Sequence, residues 1–356
     1  FSKILTTYDC QLDCVYCYEK AYRRPVSMTA RMAEAVVRWH VNRLDAAGSS
    51  KCSITFYGGE PLLNMTAIEF IAGGLNDFCR STGREFRMNF ITNGVLLTPD
   101  TVNRLAPLGL GKVWFTIDGP KDIHDRRRCS ADGSGSYDAI MENLRFLLDH
   151  TDAEAYVGVN FDAQNMESIP AWLEELSRSR TYRKAFFDPA PTQASRENQP
   201  HCQANLLPDE ETRVYLRRLL REMTRMGLKT LRRVDVGLCG VASEAAWVVD
   251  PEGRLFKCSW LLGKDEFAVG HVGGAGEGDS GGWAAEPPGA YMLSLRPWED
   301  CLHCRYVPVC GGGCLYKAHV RNGDLRRRYC DVKYFDEVWT EQLKLYFSEE
   351  EEGAAV

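Results

Sequence analysis

No run of about 18 apolar residues occurs anywhere in this 356-residue chain, so no membrane-spanning helix is expected. The opening FSKILTTYDCQLDC has no charged stretch followed by a long apolar one, and no secretory signal is expected at this end. Charge of one sign is scarce. With 43 Lys and Arg against 49 Asp and Glu, the net charge is −6, a mild acidic excess that argues against nucleic-acid backbone binding, which needs a basic stripe. Nucleic acid and membrane are therefore not expected partners. Histidine is sparse too: His40, His124, His150, His201, His271, His303 and His319 show no metal-type spacing. No internal repeat is visible. Hydrophobic residues at 44% and charged residues at 26% exclude wholesale disorder and collagen-like structure, and the length suffices for one large or two medium domains.

Cysteine is what the chain has in excess. Fourteen is too many for a typical intracellular enzyme, and without an export signal a disulfide framework is not expected. Metal binding becomes the leading reading. Three cysteines crowd into 10–17 and five into 301–330.

Through the first 230 residues β-like runs alternate with helical patterns. SITFYG (53–58), RMNFIT (87–92), KVWFTID (112–118), AYVGVNFD (155–162) and KAFFDP (184–189) read as strands. Residues 28–44, 65–82 and 137–150 read as amphipathic helices between them. This alternation predicts an α/β fold with a parallel sheet of βαβ units, closed partly or fully into a barrel. In such folds active groups sit at the C-terminal ends of strands, where GGE, TNG and DGP fall here. A loop is expected over 190–208, a helix over about 209–227, and a domain boundary near 230. The expected domains are 1–230, 231–348 and an acidic, frayed tail 349–356. The stretch 273–282 reads as a flexible loop. The Lys- and Arg-rich stretch 213–233 reads as a core helix with a basic outer face, or as a docking surface for an acidic leader peptide.

Cys10, Cys14 and Cys17 form CxxxCxxC. A zinc site or plain buried thiols are the bland readings. A closed structural zinc site wants four ligands, whereas an iron–sulfur cubane held by three thiolates leaves one iron free to bind something else.

The set CxxxCxYC, YGGEP (57–61), TNG (92–94) and TIDGPKDIHDRRR (116–128) resembles the radical S-adenosylmethionine superfamily. The resemblance implies a partial (β/α)6 barrel related to the TIM barrel. It implies that Cys10, Cys14 and Cys17 hold a [4Fe–4S] cluster whose fourth iron is chelated by S-adenosylmethionine. An electron then cleaves the sulfonium, and a 5′-deoxyadenosyl radical abstracts hydrogen from substrate. Gly58 and Gly59, lacking a Cβ, would let backbone approach the ligand. Glu60 would accept from the methionine ammonium. Asn93, Thr116, Asp118 and Asn160 stand at strand ends where the carboxylate or ribose would be bound, and Tyr16 would pack near the adenine. Of the three arginines, Arg128 would pair with the methionine carboxylate, and Arg126 and Arg127 read as a solvated face. His124 and Asp125 read as structural residues near the site.

The second constellation is Cys239, Cys258, Cys301, Cys304, Cys310, Cys314 and Cys330, centred on DCLHCRYVPVCGGGC. It resembles the Cys-rich SPASM domain, which carries auxiliary [4Fe–4S] clusters; a two-zinc site is the alternative. By the family pattern Cys301, Cys304, Cys310 and Cys330 fully ligate one cluster, and Cys239, Cys258 and Cys314 hold another. No eighth cysteine lies within 240–257, so the latter cluster has an open iron or a ligand from elsewhere. Cys202 is a candidate for that ligand; Cys52, Cys79 and Cys129 read as packing residues, and His303 as a donor to a cluster sulfur.

The implied function, with three [4Fe–4S] clusters and S-adenosylmethionine, is oxidative crosslinking of a ribosomally made precursor peptide, by a thioether or a carbon–carbon bond. The implied partners are that peptide and an electron donor such as ferredoxin or flavodoxin. Nothing ahead of Cys10 leaves room for a leader-recognition domain, so a separate protein supplies recognition, the chain is trimmed, or its own domains bind the leader. Oxygen-sensitive clusters imply a reducing cytoplasm. One alternative is an anaerobic sulfatase-maturating enzyme, but those carry Asp after the cysteine matching Cys258, where this chain has Ser259 and Trp260; Asp188 and Glu266 are the only replacement bases to suggest. The other is a non-catalytic iron–sulfur electron carrier, which would need no cosubstrate pocket.

Overall fold

The computed structural model describes residues 1–193, 204–230, 239–273 and 287–353. Its centre is one sheet in the order β10-β9-β8-β1-β2-β3-β4-β5-β6-β7. Strands β1 (Ser2–Leu5), β2 (Lys51–Tyr57), β3 (Glu85–Ile91), β4 (Leu110–Thr116), β5 (Glu154–Phe161), β6 (Phe186–Pro191) and β7 (Lys229–Thr230) are mutually parallel. The helices between them are α1 (Ala30–Ala47), α2 (Met65–Ser81), α3 (Pro99–Leu105), α4 (Lys121–Arg127), α5 (Tyr137–His150), α6 (Ile169–Ser177) and α7 (Asp209–Arg225). This is the α/β barrel that the alternating pattern predicts, left open between its outermost strands.

Period-2 alternation sorts the strand residues. Ile54, Phe56, Met88, Phe90, Val113, Phe115, Val157, Val159 and Phe187 are buried and pack against Ile68, Ile71, Leu75, Leu144, Leu147, Leu173 and Leu219 of the helices. The alternate residues, among them Lys3, Ser53, Thr55, Arg87, Asn89, Lys112 and Trp114, line the barrel interior, a cavity of about 1200 Å³.

Element ends differ from the sequence reading for local reasons. Helix α1 starts at Ala30 because Thr29 caps it by accepting from the Met32 N–H, and it stops at Gly48, whose φ of +57° no other residue adopts cheaply. Strand β6 starts at Phe186 instead of Lys184, which closes the turn Tyr182–Lys184. Helix α7 ends at Arg225 instead of reaching 227 or 233, with Gly227 at φ +69° after it. Its apolar face is core. On its charged face Arg213 meets Glu337 at 3.3 Å and Arg221 meets Glu341 at 2.6 Å, so the last helical segment of this chain lies where an acidic leader was one expectation. That last helix, Thr340–Gly353, carries the first acidic residues of the expected frayed tail; 354–356 lie outside the described residues. So do Cys202 and most of the two expected loops.

The chain after 239 extends the same sheet. Strand β8 (Trp247–Val249) pairs parallel with β1 and turns back through β9 (Arg254–Phe256) to β10 (Gly270–His271). Beneath this junction the Tyr8 hydroxyl donates to Asp250 at 2.7 Å, and Arg254 donates to the same carboxylate at 2.6 Å.

Candidate active site

The chain leaving β1 crosses the C-terminal ends of the strands as the loop that carries Cys10, Cys14 and Cys17. Segment 127–130 pins it: the Asp13 N–H donates to the Cys129 carbonyl at 2.7 Å and the Val15 N–H to the Arg127 carbonyl at 3.0 Å. Arg23 clamps the other side, donating to the Leu12 carbonyl at 2.7 Å and to the Cys10 carbonyl. The double glycine serves this loop. A Cβ on Gly58, at φ +109°, would lie 2.8 Å from the Thr7 carbonyl, and one on Gly59 would lie 2.1 Å from the Asp9 carbonyl. The close approach that demands glycine is thus to the cysteine loop itself, a reason that differs from the ligand contact inferred from sequence.

The three thiols line one cavity together with Tyr16, Tyr57, Gly58, Gly59, Thr92, Asn93, Thr116, Arg128 and Asn160. Burial pushes the Cys10 and Cys17 thiols up to about 12, so they are neutral until a cation replaces their protons. Among the described residues no three His, Cys, Asp or Glu side chains stand close enough to hold a single metal ion. Three thiols around a shared cavity suit a group larger than one ion.

Two predicted residues lie behind the cavity wall. Glu60 is fully buried; it accepts from the Thr92 hydroxyl at 2.7 Å and from the N–H groups of Asn93 at 2.8 Å and Leu62 at 3.2 Å. It therefore ties the GGE turn to the TNG turn, and burial raises its carboxyl to about 7. The Asn93 amide in turn reaches the Cys10 sulfur at 3.7 Å. Asp118 is fully buried, accepting from Arg127 Nε and from the Asn160 N–H, both at 3.3 Å.

The arginine run divides differently from the sequence reading. Only Arg126 faces solvent, pairing with Asp122. Arg127, 3% exposed, forks onto Asp162 at 2.8 and 3.0 Å as well as onto Asp118, because both carboxylates end neighbouring strands directly beneath it. Arg128 reaches the cavity, where it and Asn160 donate to the Tyr16 hydroxyl at 2.7 and 3.2 Å. Its Nε is buried with no partner in the protein. A buried orphan donor on a permanent cation fits an anionic ligand group. The residues present thus fit both a thiolate-held cluster and a carboxylate-bearing cosubstrate.

His124 holds this corner together. Its Nδ1 accepts from the Asp118 N–H at 3.2 Å, its Nε2 meets the Ser136 hydroxyl at 3.0 Å, and Ser136 donates to the Arg128 carbonyl at 2.6 Å. Burial, reinforced by Arg128 and Arg127, lowers this imidazole to about 3. The neutral ring is favoured by folding, so its contribution is complete above the unfolded value of about 6.5 and is lost as pH falls toward 3. In denaturant titrations across that window, His124→Gln should flatten the acid limb by up to about 1.4 kcal/mol per pH unit; an unchanged slope would count against the assignment.

Sequence reasoning missed Asp162, whose only signal was a carboxylate closing the β5 pattern. It also missed Glu19, a buried carboxyl on the cavity wall two residues past Cys17, and Tyr57. Asp188 lines the barrel interior and not the thiol cavity, and Glu266 is exposed.

The second constellation splits into two sets in space. Cys301, Cys304, Cys310 and Cys330 line one small apolar cavity with Tyr306, Val307 and Phe335. Gly311, Gly312 and Gly313 all have positive φ, at 62°, 90° and 93°. A Cβ on Gly313 would lie 1.9 Å from the Tyr329 carbonyl, so only glycine passes there. This turn aims the N–H groups of Gly312 and Gly313 at the Cys310 sulfur. Cys239, Cys258 and Cys314 form the other set, each near enough to bias the ionisation of Cys258 or Cys239. Tyr57 lies near both Cys17 and Cys258, and burial first, with the two cysteines behind it, pushes its phenol well above the usual range. The Tyr18 ring stacks on Trp260 at 4.0 Å, and Trp260 packs on Tyr316 at 4.9 Å.

A parallel α/β barrel with a three-thiol cavity at its strand ends defines the class. Residues 4–176 match the family model of the Radical SAM superfamily: the chain carries a radical SAM domain and is an enzyme, and that domain implies a [4Fe–4S] cluster and S-adenosylmethionine. The mycofactocin maturase MftC of Mycolicibacterium smegmatis is 23% identical over 319 residues, 87% of this chain and 76% of that protein. The cysteine-type anaerobic sulfatase-maturating enzyme of Clostridium novyi is 21% identical over 333 residues, 86% of this chain and 85% of that protein. Among solved structures, anSMEcpe with bound AdoMet superposes with a TM-score of 0.71 at 16% identity, covering 98% of this chain and 97% of that one. Streptococcus suis SuiB bound to its precursor peptide SuiA gives 0.61 at 14% identity, covering 93% and 75%. At these identities the structures speak for the fold. No helix among the described residues is long and apolar enough to cross a membrane.

Proposed function

We propose that this chain is a peptide maturase that makes an oxidative crosslink, a thioether or a carbon–carbon bond, in a ribosomally made precursor. The observation that carries the reading is the cavity shared by Cys10, Cys14, Cys17 and Arg128, whose buried Nε has no partner, with two further thiol sets beyond it. Cys10, Cys14 and Cys17 would hold a [4Fe–4S] cluster, and the chemistry it would supply when bound is one-electron reductive cleavage of S-adenosylmethionine to a hydrogen-abstracting radical. Arg128 would hold the methionine carboxylate, while Glu60, behind the wall, would act on the ligand only by fixing the GGE and TNG turns that line the cavity. Gly58 and Gly59 keep the cavity wall at backbone width. Thr116, Asn160 and Tyr16 line the remainder, where ribose and adenine would lie.

Closing a bond from a carbon radical releases one electron, and sites for auxiliary [4Fe–4S] clusters give it somewhere to go. Cys301, Cys304, Cys310 and Cys330 would close one such cluster, and Cys239, Cys258 and Cys314 would hold the other. A ferredoxin or flavodoxin would feed the first site, in a reducing cytoplasm, and a separate protein or this chain's own domains would bind the leader. The names of MftC as a maturase and of SuiB with a bound precursor peptide support a peptide substrate. The sulfatase-maturating relative supports formylglycine formation as a second reading, but Trp260, next to Ser259, is engaged in stacking on Tyr18.

Mass spectrometry after anaerobic co-expression tests the reading. A small peptide encoded beside this protein should emerge lighter by two hydrogen atoms with a new crosslink; an unmodified peptide from cluster-loaded enzyme would overturn it, and an aldehyde on a sulfatase-type peptide would favour the second reading. Cys301→Ala should lose iron from one site yet still form 5′-deoxyadenosine without peptide, while crosslinked product falls. Complete loss of cleavage in folded protein would contradict the division between the sites.

A further inference from the structure

A groove of about 300 Å³ lies between the end of β6, the start of α7 and the helix Leu315–Asn322. Its walls are apolar: Leu206, which is 36% exposed, Leu207 and Val320, with Tyr316 at the base. Its rim is charged. Lys317 and Arg321 stand one helical turn apart on the same face, the spacing that sets two side chains side by side. Lys317 has a carboxylate, Asp331, only at 3.9 Å, and among the described residues Arg321 makes no ion pair. Asp209 marks the opposite side of the groove.

Two walls lead from this groove to the thiol cavity. One is aromatic: Tyr316 in the groove packs on Trp260, which stacks on Tyr18, and Tyr18 lines the cavity. The other is polar: Thr192 lines the groove and accepts from Arg127, whose neighbour Arg128 lines the cavity. The groove and the thiol cavity are thus joined by two relays of contacting side chains.

From this juxtaposition we propose that the groove holds an extended segment of the substrate peptide that carries an acidic residue beside a large apolar one, with Lys317 and Arg321 selecting the acid. The inference rests on the maturase reading and adds a specificity to it. An apolar side chain on Leu206 and Val320 supplies the area, and the two cations reject a basic residue at the adjacent position.

The test uses the full, cluster-loaded protein with S-adenosylmethionine under anaerobic conditions. The probe is an immobilised array of decapeptides, each with one leucine and with Glu, Gln or Lys placed in turn at the neighbouring positions. Retention should favour Glu over Lys by about fivefold, the most that one exposed ion pair supplies. The double variant Lys317→Glu with Arg321→Glu should invert the preference toward Lys. If circular dichroism shows that variant unfolded, Arg321→Gln at an exposed position should flatten the preference instead. No retention, no preference for Glu, or a preference that survives these substitutions would overturn the proposal. Formation of 5′-deoxyadenosine by the unsubstituted protein is measured in parallel. Cleavage without acid selection removes the groove assignment alone, whereas absence of cleavage removes the maturase reading beneath it.

Discussion

Arg127→Met should destabilise the protein by about 3–5 kcal/mol, the largest loss expected from any single change at the site. Methionine nearly fills the space of the arginine stem, so the loss is electrostatic. The guanidinium, 3% exposed, holds two carboxylates that are themselves 0% and 1% exposed, Asp118 and Asp162. Without it both lose a buried cation, and each also anchors backbone: Asp118 accepts from the Asn160 N–H and Asp162 from the Gln164 N–H. Arg127→Lys should recover part of the loss, since a point charge cannot fork onto two acceptors. Denaturant midpoints at constant m-value measure both effects. A methionine variant within about 1 kcal/mol of the parent would show that the pair is no more than a surface-type contact.

Cys14→Ala should abolish 5′-deoxyadenosine formation and remove iron from the first site. Cys14 is 8% exposed and unbridged. Its loop is held by backbone bonds at Asp13 and Val15, none of which uses the sulfur. The variant is therefore expected to fold, and losing one of three thiolates leaves too few to retain a cubane with a vacant corner. Cleavage of S-adenosylmethionine near the parent rate would mean that these thiols are not the site.

The order of strands and helices was legible because apolar periodicity is strong in a parallel barrel, whose outward strand residues such as Phe56, Phe90 and Phe115 are wholly buried. The cysteine groupings were legible because sulfur spacing is a property of the chain itself. What was not legible is which side of a backbone each polar group takes. Arg127 and Arg128 are adjacent in sequence, yet one is sealed under the strands and the other opens into the cavity, a difference set by where α4 ends. Gly58 and Gly59 stand out in the sequence, but the carbonyls that they approach, of Thr7 and Asp9, are 51 and 50 positions away and only the fold brings them there. The same holds for Tyr18, Trp260 and Tyr316, each within two residues of a cysteine and joined only in space. Helix α7 shows a third limit: its arginines are plain in the sequence, while their partners Glu337 and Glu341 lie over 100 residues later.

The account turns on a metal corner at the first thiol set that stays free for the cosubstrate. Electron paramagnetic resonance of the dithionite-reduced protein, recorded with and without S-adenosylmethionine, addresses it directly. The predicted result is a cluster signal that changes shape when S-adenosylmethionine is added and is missing in Cys14→Ala. A signal indifferent to S-adenosylmethionine, or a protein containing zinc where iron and sulfide are expected, would contradict it.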